Sequence, residues 1–162
     1  MSIMRFDVKV RLAELRDLPE LREMFLKLIA YVKDCGQWAL SDNPADVENG
    51  AMAFLLSKMT HEDNVVLVTS DEEDRANGFL AGWIMNYPSF YQHQKVAEIQ
   101  FLYPLSFDRA AYLRDAFDIW GKARGATAVS NYATPGNGAS IRVMKRDGRK
   151  LVYQHFMRPY EV

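Results

Sequence analysis

The stretch VAEIQFLYPLSFDRAAYLRDAFDIWGKARGA, residues 96–126, decides the fold. Its first part reads as a strand: side chains alternate across a pleat, so Ile99, Phe101 and Tyr103 are expected on one face and Glu98, Gln100 and Leu102 on the other. One face is then apolar and the other carries a carboxylate. After Pro104 the period changes, because Leu113, Ala116, Phe117 and Trp120 recur as one helical stripe. Lys122 and Arg124 suit the negative end of that helix, and Gly125 supplies a stop. A strand over 127–132 follows. Strand, helix, strand is the unit that places two parallel strands in one sheet.

Working outward, Phe6, Val8 and Val10 alternate with Asp7, Lys9 and Arg11, which predicts a half-buried opening strand. Asp17 and Glu20 make a capping-box-like helix start, with Pro19 tolerated in the first turn. Leu21, Met24, Phe25, Leu28, Ile29 and Val32 form the buried stripe of this helix, and Gly36 ends it. Residues 41–59 predict a second helix, capped by Asn43 or Asp42, with Pro44 at its first position and Val47, Ala51, Phe54 and Leu55 facing inward. NVVLVTS and GFLAGWIMNY are two strands of a hairpin, joined by the acidic run DEEDRAN, which reads as a solvated loop. An aromatic turn over 87–91 leads into the central strand and either contacts a ligand or closes over core. Beyond the central unit, TPGNGAS is a turn, residues 140–147 predict a short helix ended by Gly148, and residues 151–158 a last strand. The resulting order is β, α, α, β, β, β, α, β, α, β, a mixed α/β fold in one domain spanning residues 1–162.

Composition narrows the function. With 162 residues and 49% hydrophobic content, the chain can bury a core without disulfide or metal. Twenty basic and 21 acidic residues, a formal net charge of -1, argue against a protein that mainly grips nucleic-acid phosphates. A lone cysteine, Cys35, and the lack of a long apolar run predict a cytoplasmic protein with no membrane span. His61, His93 and His155 are widely spaced and form no metal-ligand pattern, so no metal site is assigned.

This order of elements, together with several local motifs, resembles the GNAT superfamily of N-acetyltransferases. RLAELRDLPELREM is similar to that family's first strand and helix, GFLAGWI to its third strand, and AEIQFLYPL to its fourth, where some members keep a glutamate as general base. NGASIRVMKRDGRK aligns with Asn-x-x-Ala-x-x-x-Tyr-x-x-x-Gly-Phe, matching at Asn137 and Gly148, with Ser140 in place of alanine. The resemblance implies a GNAT-like, mostly antiparallel twisted sheet with a central β-α-β unit and flanking helices. It also implies transfer of an acetyl group from acetyl-CoA to a primary amine, on a small molecule or a peptide.

Carried over by position, the resemblance makes Glu98 the catalytic base, acting through a water. It assigns coenzyme A contacts to Leu102, Tyr103, Leu105, Ser106, Arg109, Ala110, Ala111 and Asn137. Backbone N–H groups over 102–105 would polarise the thioester carbonyl. Two departures stand out. The family's glycine-rich diphosphate loop is replaced by Leu105, Ser106, Phe107, Asp108, Arg109, Ala110 and Ala111, without glycine; a helix N-terminus still offers donors, although Asp108 opposes an anion and Arg109 offsets it. Met144 stands where many members have the tyrosine that protonates the departing thiolate, and methionine cannot donate a proton. Tyr132 and Tyr103 are the candidate replacements. These departures keep a second reading open: a non-catalytic binding or assembly protein with the same fold, similar to compact, glycine-poor phage members. An edge strand near the C-terminus could pair with a second copy to form a homodimer.

Overall fold

The computed structural model describes residues 8–35, 41–104, 106–133, 136–146 and 148. The chain runs β1 (Lys9–Leu12), a 3-10 turn (Leu15–Asp17), α1 (Leu18–Asp34), α2 (Pro44–Thr60), β2 (Asn64–Ser70), β3 (Ala76–Asn86), β4 (Lys95–Tyr103), α3 (Phe107–Ala123), β5 (Ala128–Asn131) and α4 (Gly138–Arg146). Five strands lie in the order β1-β2-β3-β4-β5. The first three pairings are antiparallel, and β4 and β5 are parallel, joined by the α3 crossover. The expected element order is reproduced from β1 to α4. Phe6, Gly36 and the last strand expected over 151–158 lie outside the described residues.

Local chemistry explains the element ends. Asn43 caps α2 by accepting the Ala45 N–H at 3.1 Å, with Pro44 at the first helical position. Ser106 caps α3, and Gly125 follows it at φ 81°, the left-handed conformation expected of a helix-stopping glycine. Asp17 behaves differently from the capping-box expectation. Its carboxylate makes no cap to α1; it accepts two hydrogen bonds from the Arg11 guanidinium, at 2.6 and 2.8 Å, and one from the Glu14 N–H at 2.8 Å. The bidentate charge-assisted pair fixes the carboxylate on Arg11, and the Glu14 N–H it also accepts makes it cap the 3-10 turn instead of α1. The acidic hairpin loop also departs from the solvated reading: Asp74, at φ 60°, bonds Lys9, Arg11 and Arg16.

Two cores flank the sheet. On one face, α1 and α2 bring Leu21, Phe25 and Leu55 against Val66, Val68, Phe79 and Ala81, with Phe54, Phe101 and Tyr103 at the margin. On the other, α3 sets Leu113 and Phe117 against Val65, Leu67, Leu80, Ala97 and Ile99. Gly82 permits the second contact, since a Cβ there would lie 2.5 Å from the Phe117 ring.

The simple alternation expected for β4 fails at one residue. Ala81 pairs with Phe101 and Gly82 with Ile99, which leaves Gln100 as the extra residue of a β-bulge. Ile99 therefore shares the α3 face with Leu102, and Glu98 shares the α1/α2 face with Phe101 and Tyr103. An inserted residue reverses the facing of everything after it.

Candidate functional site

The parallel pairing of β4 with β5 ends at Ile99 and Asn131, whereas β4 itself continues to Tyr103. Past that last pair the β5-facing backbone of β4 has no ladder partner among the described residues, and the two strands border a cleft of about 550 Å³. Gln100 to Pro104 form one wall and Asn131 to Ala133 the other. The cleft is completed by Leu28, Tyr31 and Val32 of α1, Ala110 and Arg114 of α3, and Val143 and Met144 of α4. Asn137 holds the start of α4 in place: its Oδ1 accepts the Ser140 N–H at 3.0 Å and the Tyr31 hydroxyl at 3.4 Å. The Tyr31 phenol is raised from its ordinary pKa by its hydrogen bond with Cys35.

Of the residues singled out from sequence, Leu102, Tyr103, Ala110, Tyr132 and Asn137 meet in this cleft. Tyr132 is about half exposed there. Ser106, Arg109 and Ala111 lie on the first turns of α3 but are not among the residues lining the cleft. Leu105 and the Asp108 side chain lie outside the described structure. Met144 does line the cleft, on the helix that follows Asn137. Sequence reading missed Tyr31, Arg114 and Gln100, which come from three different elements. Gln100 carries the most telling geometry: its Oε1 is enclosed, has no hydrogen-bond partner among the described residues and belongs to a residue that lines the cleft. An Arg109 guanidinium nitrogen, Nη1, is likewise enclosed without a partner among the described residues. Buried polar atoms are almost always bonded, so these two are free to meet a polar ligand or a water.

Glu98 sits one register position back from the end of the β4–β5 ladder, opposite Ser130. It is 2% exposed and is not part of the cleft lining. Its Oε1 accepts the Trp83 indole N–H at 2.7 Å, and its Oε2 accepts the Ser130 hydroxyl at 3.4 Å. Lys58 of α2, 4% exposed, lies over the same indole with its Nζ 3.7 Å from the ring centroid. Burial pushes the Lys58 ammonium down to a pKa of about 8, and the charge of Glu98 partly opposes that fall.

An open five-stranded mixed sheet with helices on both faces has counterparts over nearly its whole length among solved structures. This is the GNAT acetyltransferase fold. The GNAT-fold aminoglycoside N-acetyltransferase AAC(6')-Iy, solved in complex with CoA, superimposes with a TM-score of 0.73 at 17% identity, covering 99% of this chain and 100% of that one. The aminoglycoside 6'-N-acetyltransferase AAC(6')-IG from Acinetobacter haemolyticus gives 0.71 at 16% identity, covering 95% and 99%. A transcriptional regulator from Bacillus halodurans C-125 gives 0.74 at 14% identity, covering 94% and 99%. No protein-family model and no curated protein sequence matches the chain. At such identities the likeness establishes the GNAT fold, and the chemistry has to be argued from the cleft.

Proposed function

We propose that the protein is a cytoplasmic N-acyltransferase that moves an acetyl group from acetyl-CoA to a primary amine. The observation that carries this reading is the cleft between β4 and β5. Its unpaired strand backbone can bond the amide groups of an extended pantetheine arm as a further strand would, while the apolar walls formed by Leu102, Ala110 and Val143 take the methylene segments. The α3 N-terminus opens beside it, and a helix start carries unpaired N–H donors and about half a positive charge. The orphaned Arg109 Nη1 adds a cationic donor on the same first turns, which offsets the lack of glycines for binding a diphosphate.

In the proposed chemistry one proton leaves the substrate ammonium for Glu98, passing through water and the Ser130 hydroxyl, because Glu98 itself is enclosed. The amine lone pair forms the C–N bond as the C–S bond breaks. The thiolate takes its proton from the Tyr132 phenol, the second amine proton returns through solvent to Tyr132, and Glu98 then passes the first proton to solvent. Backbone N–H groups past the bulge polarise the thioester carbonyl.

Titration calorimetry with acetyl-CoA tests the reading, with saturable binding expected; no heat of binding at high micromolar ligand would sink it. Glu98→Gln should then lower kcat by about 100-fold while leaving acetyl-CoA affinity unchanged. Met144 in the cleft wall supports the rival reading, a GNAT-fold binding or assembly protein without catalysis. That reading predicts ligand binding without turnover for any amine offered.

A further inference from the structure

The buried cation Lys58 has no place in this acyl transfer, and its setting is unusual. A buried ammonium is ordinarily met by a carboxylate at contact distance. Among the described residues, no carboxylate forms an ion pair with Lys58; its nearest polar partner is Asn64 Oδ1, at 3.5 Å. The ammonium rests instead on the faces of Trp83 and Phe54, 3.7 and 5.3 Å from their centroids. The edge of that same indole donates to Glu98. Cation, ring and carboxylate thus stand in series, with α2 supplying the first, β3 the second and β4 the third.

This order suits the ring's charge distribution. An aromatic face is negative and attracts the cation, while the edge is positive and donates to the anion. A cation on the face draws electron density from the indole and strengthens its N–H as a donor, so each contact reinforces the other in a site of low dielectric. We propose that Lys58 is a positioning residue for Glu98: stacked on Trp83, its ammonium polarises the indole and holds Oε1 on the indole N–H, leaving Oε2 on Ser130, the side from which protons arrive. The functional half of this proposal rests on Glu98 being the base. The electrostatic half does not.

Glu98 is faced by Trp83 from β3, Ser130 from β5 and Lys58 from α2; of these Lys58 alone carries charge. Removing that charge should therefore weaken the indole N–H as a donor to Oε1, and a permanent cation in its place should restore it.

Two measurements on the full chain separate the halves. The first is hydrogen exchange of the Trp83 indole N–H followed by NMR in wild type, Lys58→Met and Lys58→Arg, which needs no turnover. The indole proton should exchange about tenfold faster in Lys58→Met, where the donor is weakened, and return toward the wild-type rate in Lys58→Arg. An unchanged rate in a folded Lys58→Met variant overturns the proposal. The second is the kinetics of acetyl transfer, in which kcat should fall about tenfold in Lys58→Met with KM for acetyl-CoA unchanged, and recover in Lys58→Arg. Faster exchange with an unmoved kcat would reject the functional half and, with it, Glu98 as the base. If Lys58→Met disturbs the packing, Trp83→Phe provides the independent arm: it keeps a ring under the ammonium and removes the N–H, so adding Lys58→Met to it should lower kcat no further. A second, fully additive loss in the double variant would overturn the relay.

Discussion

Two clusters of charge sit on this sheet, and they are built on opposite principles. At the β1 edge, Arg11 grips Asp17 with two hydrogen bonds and reaches Asp74, which also holds Lys9 and Arg16. Every member has partners, and the pairing favours charge. The Asp17 hydrogen bond raises Arg11 further above its ordinary value. Burial alone would push the Asp17 carboxyl up, but the Arg11 hydrogen bond, the Glu14 N–H and nearby positive charge outweigh it and hold it low. Asp74 lies well below the carboxylate range, held by its bonds to Lys9, Arg16 and Arg11. Beside the cleft, Lys58 and Glu98 are separated by a ring, and Lys58 moves toward its neutral form. Desolvation loses to pairing in the first cluster and wins in the second. Polar burial that costs stability is the kind found where a site has work to do.

The contrast breaks first at Arg11. Arg11→Met strands the nearly buried Asp17 carboxylate and should destabilise the protein by about 3 kcal/mol, lowering Tm by about 10 °C. A loss below about 1 kcal/mol in denaturant melts would show that this pair is no firmer than a surface one. Lys58→Met should act with the opposite sign, stabilising the fold by about 1 kcal/mol at pH 7, since an apolar chain of similar volume avoids the desolvation of the ammonium while Glu98 keeps its bonds to Trp83 and Ser130. A lower midpoint in urea for Lys58→Met would contradict the idea that burial of this ammonium is a net cost.

The pH dependence should divide the clusters in the same way. Asp17 binds its proton less readily folded than unfolded, so its contribution is present above about pH 4 and is lost as the pH falls into the acid range. Lys58 is also depressed, but for a base the sign reverses. Between about 8 and its ordinary 10.5, the unfolded chain holds the proton that the folded chain has released, so stability attributable to Lys58 rises with pH across that window. The difference in unfolding free energy between wild type and Lys58→Met, measured from pH 7 to 10.5, should shrink; a flat difference counts against the desolvated ammonium. The smallest effect should come from Asn64→Asp, which puts a carboxylate where Lys58 has an amide at 3.5 Å. It converts the second cluster into the paired kind, and the NMR titration of the Lys58 ε-methylene should move back toward 10.5, with stability changed by less than about 1 kcal/mol.

Much of the fold was legible because its signals are local. Asn43 with Pro44, the Leu113–Phe117–Trp120 stripe and Gly125 each act within a turn or two of themselves, and the structure follows them. Residues 96–132 form strand, helix and strand for the same reason, with β4 and β5 emerging parallel. The facing of β4 after Ile99 was not legible. No residue at Gln100 announces a bulge; it follows from pairing with β3, where Gly82 admits Phe117 from α3 and the register slips. The candidate site was read in part. Residues next to a recognisable motif, such as Tyr103, Ala110 and Asn137, reached the cleft, while Tyr31 and Arg114 lacked any pattern tying them to it.

By itself the sequence determined the elements, their order and the apolar stripes that pack them, because periodicity, caps and turn residues are properties of neighbouring positions. It also placed a carboxylate on the central strand. Tertiary structure decided what surrounds that carboxylate. Lys58, Trp83, Glu98 and Ser130 are brought together by α2, β3, β4 and β5, and the energy of burying a charge depends on which groups the folded chain sets around it.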